Sequence, residues 1–264
     1  GQIFRPSSSN VANRRCGGRG TITIVSAADA GYFELLKGLI SSIRDKPEGR
    51  DIALSILDVG LDSSHRNWLS DRSATLVEPG WDFEIPASMN VPAHFRALLA
   101  RPFLPQYFPG YDIYLHIDSD AWVQNWAAVE IYLSAAANGF LGITPQIDRS
   151  YNTVYKRPRR YRRTQNYKSY SWSYGWQVAD RLARNPILNC GVFSLPVDSP
   201  HWDLWAKAIQ RALSRRTLRQ RKGWPELNFK LIEQTALNSV VFQDKAKATF
   251  LPAWCGSRRV WGCR

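Results

Sequence analysis

The chain is short of several features that would each have marked a class of protein. One methionine, four histidines and four cysteines are spread through 264 residues. Cys16, Cys190, Cys255 and Cys263 show none of the paired spacings of a zinc site, so mostly free thiols are expected. Only Cys255 and Cys263 are near enough in sequence to raise the question of a disulfide. No run approaches the roughly 18 to 20 consecutive apolar residues of a membrane span, and no charged-then-apolar signal segment opens the chain. Gly1 in place of methionine leaves a processed start, with a leader or anchor removed, open. The absence of any Asn-x-Ser/Thr sequon favours a cytoplasmic protein, peripheral at a membrane, over the luminal catalytic domain of an anchored one. Acidic residues are also in deficit: 22 Asp and Glu face 35 Lys and Arg, a net charge of +13. That excess implies an anionic partner, whether nucleic acid, anionic lipid or a phosphorylated substrate.

With 44% hydrophobic residues, the chain can bury one sizeable core, as a single α/β domain or a domain with a smaller lobe. Residues 1–20, rich in Ser, Gly and Arg, read as a flexible lead-in to a domain over 21–264. The β-branched run at 21–25 reads as a strand. Phe33, Leu35, Leu36, Leu39, Ile40 and Ile43 then recur at helical spacing. Further strands are expected at 52–58, 74–77, 111–117, 139–143, 187–195 and 249–252. Helices are expected at 61–72, 123–137 and 233–242, and another after Ser199 as N-cap with Pro200 at its first position. Along it Trp202, Trp205, Ile209 and Leu213 form a stripe that faces the core. The alternation of strand and helix predicts a mostly parallel sheet of the nucleotide-binding kind, flanked by helices. Such sheets bind ligands outside the carboxyl ends of their strands, where Asp29, Tyr32, Asp118 and Asp120 fall.

The most informative stretch is the apolar strand that runs into Asp118-Ser119-Asp120. Side chains two apart share a side of a strand, so the two carboxylates converge as it ends. Two like charges together need neutralising, and Mn²⁺ or Mg²⁺ shared with a diphosphate does so with oxygen ligands. His116 shares the parity of Asp118. Upstream, Arg101 lies within a path broken by Pro86, Pro92, Pro102, Pro105 and Pro109. Downstream, Asn189-Cys190-Gly191 interrupts a strand with small polar residues; Gly there marks a close backbone approach, and Asn offers a donor and an acceptor. Residues 148–185 show no clear periodicity. They interleave Tyr151, Tyr155, Tyr161, Tyr167, Tyr170, Trp172, Tyr174 and Trp176 with ten Lys and Arg. A second basic run follows, from Arg211 to Lys222.

Taken in order, these motifs resemble those of the retaining GT-A-fold glycosyltransferases that include glycogenin and the bacterial lipopolysaccharide galactosyltransferases. The likeness runs from about residue 21 to 254. The stretch from Ala27 through Asp29 to Tyr32 is similar to the family's first-strand motif, whose Asp hydrogen-bonds uracil and whose Tyr stacks on it. Asp118-Ser119-Asp120 is similar to its metal motif, Arg101 to an Arg near sugar and phosphates, and Asn189-Cys190-Gly191-Val192 to Asn-Ala-Gly-Val. The stretch from Glu233 to Asn238 is similar to its Asp-Gln-Asp-Ala-Leu-Asn, with Glu and Thr in place of the two Asp. The family's third metal ligand, a C-terminal His, has no counterpart, since the histidines are His65, His94, His116 and His201.

The resemblance implies a donor site for a UDP-sugar formed by Ala27, Asp29, Tyr32, Arg101, Asp118, Ser119, Asn189 and Gly191. Asp118 and Asp120 would hold the metal, and Arg101 would stabilise the departing UDP. Gln234 would lie beneath the anomeric carbon and favour front-face attack, with Glu233 the nearest nucleophile for a covalent route. Segment 148–185 falls where the family has acceptor-side elements. Its charge implies an acidic or phosphorylated glycan, or an anionic membrane carrying a lipid-linked acceptor. Three other readings stand beside this one: a basic nucleic-acid-binding module, which leaves the carboxylate pair unexplained, a nucleotidyltransferase on a related sheet, and a non-catalytic member of the family.

Overall fold

The computed structural model describes residues 20–85, 91–147, 158–215, 231–252 and 255, without the side chains of 158–160. Residues 1–19 of the lead-in expected at 1–20, the basic residues Arg149, Lys156 and Arg157, and most of the second basic run lie outside the described residues.

Strands β1 (Ile22–Ala28), β2 (Ala53–Asp58), β3 (Ala74–Val77), β4 (Ile113–Ile117), β5 (Leu141–Pro145), β6 (Leu188–Pro196) and β7 (Ala248–Phe250) form one seven-stranded sheet, in the order β3-β2-β1-β4-β6-β5-β7. All neighbours are parallel except β6, which runs antiparallel to both β4 and β5. The mostly parallel α/β sheet expected from the sequence is therefore present.

Helices α1 (Phe33–Arg44), α2 (Ser63–Ser70), α3 (Phe95–Ala100), α4 (Leu104–Tyr107), α5 (Trp126–Ala137), α6 (Gln165–Tyr174), α7 (Trp176–Leu182), α8 (His201–Leu213) and α9 (Ile232–Phe242) connect or cover the strands. In α1 the buried residues Phe33, Leu36, Leu39, Ile40 and Ile43 repeat at helical spacing and seat the helix on the sheet. Two helices start later than their apolar pattern because a capping side chain decides. Asp62 accepts from the backbone N–H of His65 at 2.9 Å, and Asn125 from that of Ala127 at 2.9 Å. Ser199 lies one residue further out than expected: Pro200 occupies the N-cap position of α8, and Ser199 Oγ bonds the His201 ring at 2.8 Å. The tryptophan stripe does face the core, with Trp202, Trp205, Ile209 and Leu213 all buried.

Central strand β4 is buried along its whole length because both faces are covered. Ile113, Leu115 and Ile117 pack in the layer of α1 and α5, whereas Tyr114 packs in the layer of α3, α8 and α9. Alternation then directs His116 and Asp118 toward the second layer. His116 follows the rule, stacking on Phe193 at a centroid distance of 5.1 Å.

The segment 148–185, expected to lack regular structure, contains α6 and α7 packed as a hairpin around Gly175, whose φ of +99° suits a glycine. Thr164 caps α6 by accepting from Tyr167 N–H at 3.2 Å. Its periodicity was hidden because the packing residues are tyrosines, outwardly polar, not aliphatics. Tyr170, Ala179, Leu182 and Ala183 form a small core of their own, against which Tyr161, Tyr167 and Tyr174 pack.

Candidate active site

The carboxyl ends of parallel strands β1 and β4 lie at one edge of the sheet, and antiparallel β6 begins there. Asp118, just past β4, donates its backbone N–H to the carbonyl of Gly191 at 2.7 Å, so β6 brings Asn189, Cys190 and Gly191 against it. Helix α9 delivers Glu233 and Gln234 to the same edge. Trp205 Nε1 holds the Glu233 carbonyl at 2.8 Å, and Gln234 Oε1 accepts from Cys190 N–H at 3.4 Å. Asn238 fixes the register of α9 on β6, accepting from Leu188 N–H at 2.8 Å and donating to its carbonyl at 3.0 Å.

Arg101 ties these segments together. Its Nη2 donates to Asp118 Oδ1, and its Nη1 donates to Glu233 Oε1 and, at 3.3 Å, to the Cys190 carbonyl. Arg101 is 6% exposed. Burial acts to lower its pKa, but Glu233 and Asp118 more than offset this and raise it, so it stays charged. The residue read from sequence as sitting near sugar and phosphates is thus a buried cation between two carboxylates. Glu233 is 3% exposed. Burial pushes its carboxyl up to about 7, against Arg101 and with the help of Asp118. Its Oε2 and Arg101 Nε find no hydrogen-bond partner among the described residues. Glu233, expected as the alternative nucleophile, is a buried carboxyl whose Oε1 accepts from Arg101. Sequence gave its chemistry but not its partner, because the two are separated by 132 residues.

Asp118 is the more accessible carboxylate, with 39% of its side chain exposed. Gly191 makes room for it: a Cβ there would lie 2.8 Å from Asp118 Oδ2 and 3.1 Å from Asn189 Oδ1. Ser119 is buried and Asp120 exposed in the turn that Ala121 N–H closes on the Asp118 carbonyl at 3.1 Å. Asn189 Oδ1 accepts from Gly191 N–H at 2.9 Å, so this side chain shapes the strand entry as well as bordering the site. His116 is buried, and burial together with Arg101 holds its imidazole neutral, well below the ordinary histidine range.

At the end of β1, Asp29 Oδ1 accepts from Tyr32 N–H at 3.0 Å, and the Tyr32 ring is 49% exposed at the mouth of α1. Ala27 is half-buried in β1. The loop beyond is pinned to the turn after β2, with Ala30 N–H bonding the Gly60 carbonyl at 3.0 Å. Sequence reasoning passed over Asp58, which ends β2 beside Ala28. It accepts from Gly60 N–H at 3.0 Å, Leu61 N–H at 2.8 Å and Arg66 Nε at 2.6 Å. A carboxylate two residues before a glycine at a strand end was the available signal.

Among the described residues no three His, Cys, Asp or Glu side chains group as metal ligands. The donor set still fits a hard divalent cation. Asp118 and Asp120 would supply oxygens, the side-chain gap at Gly191 leaves space at Asp118, and such ions complete their shell from phosphates and water.

No protein-family profile matches the chain, and no curated protein matches it in sequence. Solved structures do. The apo bifunctional glycosyltransferase WbbM superposes with a TM-score of 0.53 at 15% identity, over 91% of this chain and 40% of its own length. Mouse xyloside xylosyltransferase 1 gives 0.50 at 12% identity, covering 87% and 84% of the two chains. The mannosyltransferase Ktr4p from S. cerevisiae gives 0.50 at 10% identity, covering 91% and 70%. The fold is the GT-A glycosyltransferase fold. At these identities the likeness speaks for the fold alone, and this chain spans well under half of WbbM.

Proposed function

We propose that this protein transfers a sugar, with retention of configuration, from a UDP-sugar to a glycan or lipid-linked acceptor, with Mn²⁺ or Mg²⁺ as cofactor. The observation that carries this reading is the convergence of Asp118, Arg101, Asn189, Gly191 and Gln234, from four separate segments, at the edge of the sheet where β1 and β4 end and β6 begins. That edge is where open α/β sheets bind nucleotides.

Asp118 and Asp120 are the residues that would hold the cation, which when bound offsets diphosphate charge. Arg101 presents a fixed positive charge beside Asp118, oriented before the donor arrives, so no reorganisation is needed as charge develops on the leaving diphosphate. Glu233 keeps it there. Tyr32 offers an exposed ring face to the base, while Asp29 rigidifies the turn that carries the ring. Gln234, uncharged and half-buried, is a weak nucleophile, which favours front-face attack by the acceptor over a covalent sugar intermediate.

A thermal-shift panel of nucleoside diphosphate sugars with and without Mn²⁺ tests the reading, because a ligand that binds the native state raises its stability by mass action. UDP-sugars that shift the transition only with the cation, and then release UDP, support it. Release of pyrophosphate would favour the nucleotidyltransferase, and no shift with any donor would remove the site.

A further inference from the structure

The hairpin of α6 and α7 has two sets of polar aromatic and basic residues, and the structure divides them. Its tyrosines are used internally. Tyr170 is fully buried, Tyr174 donates its hydroxyl to the Ala208 carbonyl at 3.0 Å, and Tyr161 donates to Asp180 at 2.7 Å. Tyr167 packs edge-on against Tyr161. They hold the hairpin together and fix it on α8, so they offer no ladder of rings on which bases or sugars could stack.

What remains outside is basic. From 161 to 185 the exposed residues are Arg162, Arg163, Lys168, Trp176, Gln177, Arg181 and Arg184. The segment's one carboxylate, Asp180, is drawn inward and paired with Arg162 at 2.9 Å. Arg163, Lys168 and Arg181 have no ion-pair partner among the described residues, and Arg184 lies over the Tyr161 ring at 4.4 Å. Because Asn166 Nδ2 donates to the Ala183 carbonyl at 3.1 Å, the start of α6 adjoins the end of α7. Arg162, Arg163, Arg181 and Arg184 therefore gather at the open end of the hairpin. Trp176, 62% exposed, stands at the turn, about 10 Å along α7 from that cluster.

We propose that this face of the α6–α7 hairpin docks the protein on an anionic lipid bilayer, its cations against the headgroups and Trp176 in the interfacial layer. Separated cations with a single protruding tryptophan, and no exposed carboxylate or ring ladder, match a flat, negatively charged, apolar-backed surface. A single-stranded nucleic acid would be bound by stacking platforms, and an acidic glycan by a groove with planar hydrogen-bonding groups. The inference does not depend on the sugar-transfer reading and would stand if the donor site failed its own test.

The test is co-sedimentation of the full chain with phosphatidylcholine vesicles, with and without phosphatidylserine. Binding is expected only with phosphatidylserine and should weaken as salt is raised. Each cation near such a surface contributes about fivefold in affinity, so Arg163→Gln/Arg181→Gln/Arg184→Gln should lose roughly a hundredfold with an unchanged melting temperature. Trp176→Ala should weaken binding at every salt concentration. An equal loss in Lys37→Gln/Arg50→Gln/Arg72→Gln, on the other side of the molecule, would assign the attraction to net charge and overturn the docking face. So would competition by soluble glycerophosphoserine, or tighter binding to RNA or to an acidic oligosaccharide than to the vesicles.

Discussion

The guanidinium of Arg101 and the carboxylate of Glu233, 132 residues apart in the chain, form an ion pair buried beneath the candidate donor site. Removing the cation while leaving the carboxylate strands a charge. Arg101→Met is accordingly expected to destabilise the fold by about 3–5 kcal/mol near pH 8. The penalty should shrink at pH 5, where Glu233, already lifted to about 7, takes up a proton. The double variant Arg101→Met/Glu233→Met should recover much of the loss. Urea titrations at the two pH values check both statements, and a double variant no more stable than the single one would refute the pairing.

The proposed metal ligands Asp118 and Asp120 do not support the core, since Asp120 is exposed and Asp118 partly so. Asp120→Asn should leave the melting temperature unchanged and abolish Mn²⁺-dependent turnover of a UDP-sugar. Asp118→Asn should do the same to turnover but also loosen Arg101. Full activity in both would dismiss the metal site.

How legible the fold was follows from which layer an element faces. β1, α1, α8 and β4 were readable because their buried positions are aliphatic or tryptophan at a clean period. The hairpin of α6 and α7 was not, because its small core is made of tyrosines that satisfy their hydroxyls on Ala208 and Asp180. Asp118, Arg101, Asn189 and Gly191, expected at a donor site from short motifs, lie together at one edge of the sheet. The motifs were silent on geometry: Glu233, expected as the alternative nucleophile for a covalent route, is paired with Arg101 from a segment that no local motif connects to it. Asp58 was legible only as a strand end, since its work is to bind the next turn and Arg66.

The base pocket has a separable test. Tyr32→Ala removes an exposed ring face and should weaken UDP binding by about tenfold, the loss of one stacking contact of about 1.4 kcal/mol. Asp29→Ala loses the bond to Tyr32 N–H as well, so it should both lower affinity and reduce discrimination among nucleobases. Calorimetry with UDP, CDP and GDP measures both, and unchanged binding in the two variants would exclude β1 from the pocket.

His201 gives the fold an acid-sensitive joint remote from the site. Burial lowers its pKa to about 4, from an ordinary value near 6.5. The native state thus binds fewer protons than the unfolded state between those values. Its contribution is fully present above about pH 6.5 and is lost as pH falls toward 4, by at most about 3 kcal/mol. His201→Gln, which keeps a hydrogen-bonding group near Ser199, should flatten the fall in stability across that window relative to the parent. Parallel slopes for the two proteins in urea titrations from pH 7 to pH 4 would show that His201 is not the titrating group.

Gly191 offers the sharpest test of the site's architecture, because its role is to be absent. A methyl group there would sit 2.8 Å from Asp118 Oδ2, so either the carboxylate turns away or β6 moves off β4. The backbone bond from Asp118 N–H to the Gly191 carbonyl, at 2.7 Å, resists the second. Gly191→Ala should therefore displace the Asp118 side chain, costing about 1–3 kcal/mol of stability as overpacking does. It should lower donor hydrolysis far more than that loss of folded protein accounts for. Adding Asp118→Asn to Gly191→Ala should cause little further loss of activity if both act through the same carboxylate, and a fully multiplicative loss would show that Gly191 matters for another reason.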